Sequence, residues 1–187
     1  MYTAHPMGAL KLWSRSEVET IIGALHMSIY VKFDGITGSV TTEGYQGWTE
    51  VDQLEFNGIN VSTSNVVGKA PDRINSRPSF GEYTIVKPMD ISSPYLVGCI
   101  HSGKVIPKVE IDCVTTGNPP FTYLKTTLTS VLLNHYSRRH SSAGGKPIEY
   151  ISMTYTGIEE TLSPRDASNK IGTPITTGYN LTTAQKM

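Results

Sequence analysis

Three stretches of this chain alternate apolar and polar residues with a period of two. In Ile29–Asp34, Ile29, Val31 and Phe33 alternate with Tyr30, Lys32 and Asp34. Val109, Ile111 and Cys113 alternate with Lys108, Glu110 and Asp112, and Ile151, Met153 and Tyr155 with Ser152, Thr154 and Thr156. Successive side chains of a strand point to opposite faces, so each stretch reads as a strand with one buried side. Weaker strand signals run through Trp48–Phe56, where the alternation is less clean, and through Phe80–Val86 and Tyr179-Asn180-Leu181. Tyr123–Tyr136 reads as one long strand. Leu124, Leu128 and Leu132 share a parity there, and Thr126, Thr127, Thr129 and Val131 are β-branched. Turn signals, among them Gly117-Asn118-Pro119-Pro120 and Ser141-Ser142-Ala143-Gly144-Gly145, separate the strands. About six to eight short strands punctuated in this way make a mainly β sandwich or barrel.

One helix is signalled. Ser93 is placed as its N-cap with Pro94 at the first helical position, where the missing N–H is harmless. Leu96, Cys99 and Ile100 then share a face, and Gly103 supplies a left-handed stop. The helix is expected to span about two turns and to plug a barrel end or cover a sheet edge.

Residues 1–27 differ from the rest. Ser16 and Glu19 form a capping box, and Val18, Ile21, Ile22 and Leu25 follow at helical spacing. Met27 reads as a natural start. The expected division is an N-terminal extension, residues 1–27, either non-native or flexible, and one domain, residues 28–187. The stretch Ser62–Pro78 is polar and without period. A structureless connection of that length leaves two readings open, an arm packing on a neighbouring molecule and a surface loop.

Composition excludes several functions. Among 187 residues, 16 Lys and Arg balance 16 Asp and Glu, so broad electrostatic binding to nucleic acid or an anionic membrane has no support. No run of apolar residues is long enough for a transmembrane helix. The N-terminus lacks the pattern of a secretory signal, so Asn60-Val61-Ser62 and Asn180-Leu181-Thr182 are expected to be idle as glycosylation acceptors. Cys99 and Cys113 are too few for a disulfide scaffold and read as two buried thiols.

Chemistry is equally sparse. His5, His26, His101, His135 and His140 stand in no zinc spacing, and neither a P-loop, a GxSxG nor a GxGxxG occurs. Gly144-Gly145-Lys146 matches a phosphate loop in composition only. Arg138-Arg139-His140 reads as a solvated hairpin end. Glu159 and Glu160, adjacent on a strand, point to opposite faces. Tyr45 and Trp48 read as core aromatics before pocket residues. No cofactor, no metal and no catalytic residue is expected, and function is placed in a surface or an assembly.

Ordered segments carry a family resemblance. They are Ser28-Ile29-Tyr30-Val31-Lys32-Phe33-Asp34-Gly35-Ile36-Thr37-Gly38, Gly47-Trp48-Thr49-Glu50-Val51, Val86-Lys87-Pro88-Met89-Asp90-Ile91-Ser92-Ser93-Pro94-Tyr95-Leu96, Val109-Glu110-Ile111-Asp112, Tyr123-Leu124-Lys125 and Ile148-Glu149-Tyr150-Ile151-Ser152-Met153-Thr154-Tyr155. In order and spacing, residues 28–187 resemble the haemolysin-coregulated protein (Hcp) family, the tube proteins of type VI secretion systems.

The resemblance implies a two-sheet β-barrel with one short flanking helix, similar to phage tail-tube proteins. It implies hexameric rings that stack into a tube, which a contractile sheath expels and which carries small effector proteins in its lumen. Partners are then the chain itself, sheath and spike or baseplate proteins, and effectors; nucleic acid and membrane insertion are not expected. Assembly in the bacterial cytoplasm and secretion without a signal peptide follow. The resemblance makes Ser62–Pro78 a subunit-interface arm, with Val66, Val67, Lys69, Pro71, Arg73, Ile74 and Arg77 as contact residues. It places ring stacking at Ser102, Gly103 and Lys104. Residues 1–27 have no counterpart in the family pattern, and the chain stops at Met187 with no toxic C-terminal domain expected. The competing readings are a phage-type tail-tube protein and, from another class, a small-molecule-binding barrel or a hydrolase using Cys113 or His101.

Overall fold

The computed structural model describes residues 27–61, 78–115, 120–165 and 170–187. In chain order the elements are β1 (Met27–Phe33), β2 (Thr49–Val51), β3 (Gln53–Phe56), β4 (Ile59–Asn60), β5 (Ser79–Phe80), β6 (Tyr83–Pro88), α1 (Ser93–Ser102), β7 (Ile106–Thr115), β8 (Phe121–Arg139), β9 (Ile148–Thr154), β10 (Gly157–Leu162), β11 (Ile175–Asn180) and β12 (Gln185–Lys186). The first sheet runs β12-β11-β10-β8-β7-β1-β2; the second contains β3, β6 and β9 and joins the first through β8. Every pairing is antiparallel.

Two bent segments hold the sheets together. The first half of β8 pairs with β7 and β10, and from Leu132 onward it pairs with β9. The switch falls at Ser130, whose φ of 50° is left-handed. This residue also resets the alternation. Leu128 is buried, and after Ser130 the buried parity moves to Val131 and Leu133. Leu132, expected to share a face with Leu124 and Leu128, is instead 37% exposed. The Trp48–Phe56 segment breaks at Asp52 into β2 and β3. Thr49–Val51 pair with β1 and Gln53–Phe56 with β6, while the Asp52 N–H donates to the Val86 carbonyl at 2.8 Å. The irregular alternation of that segment is this corner. Among the described residues pairing does not run full circle, since β2 and β12 end the path. The body is the mainly β, two-sheet architecture with one flanking helix that was expected, with its barrel not fully closed by pairing.

The core is what the alternation supplies. Val31 and Phe33 of β1, Val109 and Ile111 of β7, Leu128 of β8, Ile85 of β6 and Ile151 and Met153 of β9 are all at most 1% exposed. Each such side chain contributes about 1.5–3 kcal/mol when removed from water. Leu96 and Cys99 of α1 close one side of the same cluster. The polar face of β1 is not simply solvated. Tyr45, from the loop after β1, stacks on Tyr30 at 4.4 Å between ring centroids, and Trp48 meets Tyr45 edge-on at 5.1 Å. These aromatics form an outer cap on the first sheet. Cys99 and Cys113 are buried free thiols, as the sequence indicates.

Candidate functional site

Strand β6 alternates strictly, burying Tyr83, Ile85 and Lys87. Lys87 therefore enters the interior on the same parity as its apolar neighbours, where an ammonium is tolerated only with partners. Glu149 sits opposite it in the β6–β9 ladder, on the buried parity of Ile151 and Met153. Lys87 Nζ lies 2.9 Å from Glu149 Oε2 and 2.8 Å from Asp90 Oδ1. It also donates to the Ser93 hydroxyl at 3.1 Å and to the Pro88 carbonyl at 3.0 Å. The Ser93 hydroxyl donates to Glu149 Oε2 at 2.6 Å, and Tyr136 donates to Oε1 at 2.7 Å. Arg138 adds a guanidinium 3.3 Å from Oε1. Burial opposes ionisation of Asp90 and Glu149, but it is outweighed. Bonds from Lys87 and Ser92 hold Asp90 below its ordinary range, and bonds from Ser93, Lys87 and Tyr136 do the same for Glu149.

This cluster explains where the helix begins. Ser92, not Ser93, is the N-cap, and Pro94 occupies the second helical position. Ser93 is taken by Glu149, while the Ser92 N–H and hydroxyl both donate to Asp90 Oδ1, at 3.1 and 2.5 Å. The start of α1 is thus bolted to β6 and β9 by an ionic node. Its far end stops as expected. Gly103 has φ 62°, and the Lys104 N–H donates to the Cys99 carbonyl at 3.0 Å. Ser102, Gly103 and Lys104 are all exposed there. They share one turn at the end of α1, and the Ser102 hydroxyl donates to the Gly98 carbonyl at 2.8 Å.

Val66, Val67, Lys69, Pro71, Arg73, Ile74 and Arg77 lie outside the described residues, but the base of that segment is described. It is the β4–β5 hairpin, with Ile59 opposite Phe80 and Asn60 opposite Ser79. Two contacts fix it to the body: Phe80 stacks on Tyr179 at 5.0 Å, and the Tyr155 hydroxyl donates to the Gly81 carbonyl at 3.1 Å. The Gly81 N–H donates to the Gly58 carbonyl at 2.8 Å and closes the foot of the hairpin. A Cβ at Gly81 would sit 2.7 Å from the Asn57 backbone, so only glycine permits this approach. Nearby, the Tyr83 hydroxyl donates to Glu160 at 2.7 Å. Burial, reinforced by that carboxylate, pushes the phenol far up.

The residues of the hydrolase reading are not brought together into a nucleophile and base. Cys113 lies in β7 on the core side, where burial raises its thiol above the ordinary range, unlike an activated nucleophile. His101 is exposed in the last turn of α1. Among the described residues no group of His, Cys, Asp and Glu could hold a metal ion. Lys87 and Asp90 stood out in the sequence only through their order. Glu149 was missed as their partner. A lysine and a glutamate in phase with Ile85 and Ile151 were the available signal.

A family model described as "Type VI secretion system effector, Hcp" matches residues 30–161. No curated protein matches the chain. Among solved structures, one described as a type six secretion system protein superposes with a TM-score of 0.80 at 23% identity, covering 87% of this chain and all 100% of that one. Hcp1 from Salmonella typhimurium gives 0.69 at 22% identity, with 86% and 99% covered. A type VI secretion system effector from Yersinia pestis gives 0.64 at 18%, with 81% and 98% covered. These likenesses concern the fold, and the family model spans well over half of the sequence. The chain belongs to the Hcp family of type VI secretion systems.

Proposed function

We propose that this chain is the building block of a type VI secretion tube. Copies close head-to-tail into a hexameric ring, and rings stack into a tube that a sheath drives outward behind a spike, with small effector proteins carried in the lumen. The observation that carries the reading is the family match over residues 30–161, together with a fold shared over nearly the whole length of Hcp structures. The architecture supports it. A head-to-tail interface needs a body that does not deform, and here one core and a buried ionic node lock the helix to both neighbouring strands.

In this reading the segment carrying Val66, Val67, Lys69, Pro71, Arg73, Ile74 and Arg77 is an arm to the adjacent subunit, launched from the anchored β4–β5 base. Ser102, Gly103 and Lys104, exposed at the end of α1, form a ring-to-ring contact. The role is structural and non-catalytic. Assembly takes place in the cytoplasm before secretion. No helix among the described residues is long and apolar enough to cross a membrane. Light scattering on the purified chain tests the reading: a mass six times that of the subunit supports it, and a monomer at high concentration refutes it. Deleting residues 62–77 is expected to lower that mass, and a deletion variant that remains hexameric would refute the arm.

A further inference from the structure

The core face of the first sheet runs on past its cover. Cross-strand partners share a face, so the ladders β1–β7–β8–β10–β11 set Ile29, Cys113, Leu124, Leu162 and Ile175 in one row, on the same side as Val31 and Ile111. Cover fades along the row. Cys113 is buried, Ile29 and Leu124 are half-buried, Leu162 is 47% exposed and Ile175 65%. Met27, two residues before Ile29 on the same face of β1, is 57% exposed. Further along β10 and β11 on that face, Ile158 and Tyr179 line an apolar cleft against Ile59 and Phe80 of the β4–β5 hairpin. An antiparallel sheet with one face on the core shows water its polar alternates; here it is the apolar positions that are bare.

One stretch of the chain suits this row by position, pattern and length. Residues 1–26, with the helical pattern of Ser16–His26, lie outside the described residues, and the chain enters the described body at Met27. That entry is at the border of the row, where the Tyr123 hydroxyl, next in sequence to Leu124, donates to the Met27 sulfur at 3.5 Å. Val18, Ile21, Ile22 and Leu25 recur at i, i+3, i+4 and i+7 and make one apolar stripe, with Glu17, Glu19, Thr20 and His26 at the other positions. Such a stripe gains free energy only when buried against another element. A helix over Ser16–His26 is about 16 Å long. From Ile29 to Ile175 the row crosses four strand spacings, about 19 Å. Leu25 stands two residues before Met27, so this stripe is presented to the row at an effective concentration that a free partner does not reach.

We propose that residues 16–26 lie as an amphipathic helix across this row, from Met27 towards Ile175, and cap the uncovered end of the core. Leu25 then falls over Ile29, Ile21 and Ile22 over Leu124, and Val18 over Leu162 and Ile175, with the polar positions facing water. The inference does not depend on the ring reading, because the occupant belongs to the same chain. It makes this part of the N-terminal extension a working piece of the domain.

Hydrogen exchange on the whole chain, read peptide by peptide, tests it. Amides of residues 18–26 are expected to exchange at least about tenfold more slowly than those of an unstructured chain. The double variant Leu162→Asp, Ile175→Asp changes two exposed side chains and is expected to return those amides to unprotected rates, with β7 as protected as in the parent. Absence of protection in the parent, or protection that survives the double variant, overturns the proposal. A cysteine pair reads the same contact directly. With Val18→Cys and Ile175→Cys, oxidation is expected to join the two positions within one chain, whereas Thr20→Cys with Ile175→Cys stays open. No bond from position 18, or equal bonding from positions 18 and 20, overturns the placement. A bond between two chains gives the row to a second copy and overturns it too. None of these readouts needs a hexamer, so a monomeric parent would refute the ring reading and leave this inference to stand or fall on its own.

Discussion

Lys87 and Glu149 face each other across the β6–β9 ladder, Nζ to Oε2 at 2.9 Å, with neither side chain exposed to solvent. Removing one member of a buried pair strands the other, at about 3–5 kcal/mol. Lys87→Met is therefore expected to destabilise the chain by roughly that amount in urea unfolding. The double variant Lys87→Met, Glu149→Leu is expected to be less damaged than the sum of the singles, because no charge is left alone. Additive losses would show that the two groups act independently.

The node also sets acid stability. Asp90 and Glu149 have folded-state values below their ordinary 3.8 and 4.5. Groups depressed in this way contribute stability that is fully present above the ordinary values and lost as pH falls through the depressed ones. Melting temperature should hold down to about pH 5 and fall steeply below it. Glu149→Gln should start lower and fall less steeply over the same window. A parent curve flat to pH 2 would contradict the assignment.

Asp112 carries the opposite sign. It is buried under Tyr45, whose hydroxyl donates to Oδ2 at 3.3 Å, and its Oδ1 has no hydrogen-bond partner among the described residues. Burial raises its carboxyl above the ordinary value of 3.8. The folded state then holds the proton more tightly than the unfolded one. The ionised group is a penalty at neutral pH that disappears as pH falls towards the ordinary value. Asp112→Asn is expected to stabilise the chain by about 1 kcal/mol at pH 7, an advantage that shrinks on acidification. Destabilisation at pH 7 would contradict it.

The Ser130 bend stores a further cost. A non-glycine residue in the left-handed region is disfavoured by about 1 kcal/mol. Ser130→Gly should raise the thermal midpoint by a few degrees, on the order of 0.5–1 kcal/mol, without altering the sheet switch. A lowered midpoint would show that the serine side chain matters more than its backbone.

The sequence was most informative where one rule acted alone. Val109, Ile111 and Cys113 declare their buried face, and Gly103 ends α1 where its conformational freedom says it should. It was least informative where two rules competed. Leu132 leaves the parity of Leu128 because Ser130 turns the strand from one sheet to the other, and nothing local marks serine as a left-handed residue. Tyr30 alternates as a surface residue and is buried because Tyr45, fifteen positions away, stacks on it. Ser93 has the side chain of an N-cap and yields that place to Ser92, since Glu149 claims its hydroxyl from a distant strand. The apolar cleft between the β4–β5 hairpin and β10–β11 is of the same kind: Ile59, Ile158 and Tyr179 belong to three elements, and only the fold brings them together.

Negative-stain electron microscopy of the purified chain tests the central claim most directly. The account predicts six-fold rings with an open centre, alone or in short stacks. Fields of single compact particles without a central hole, at concentrations where light scattering also reports the subunit mass, would contradict it.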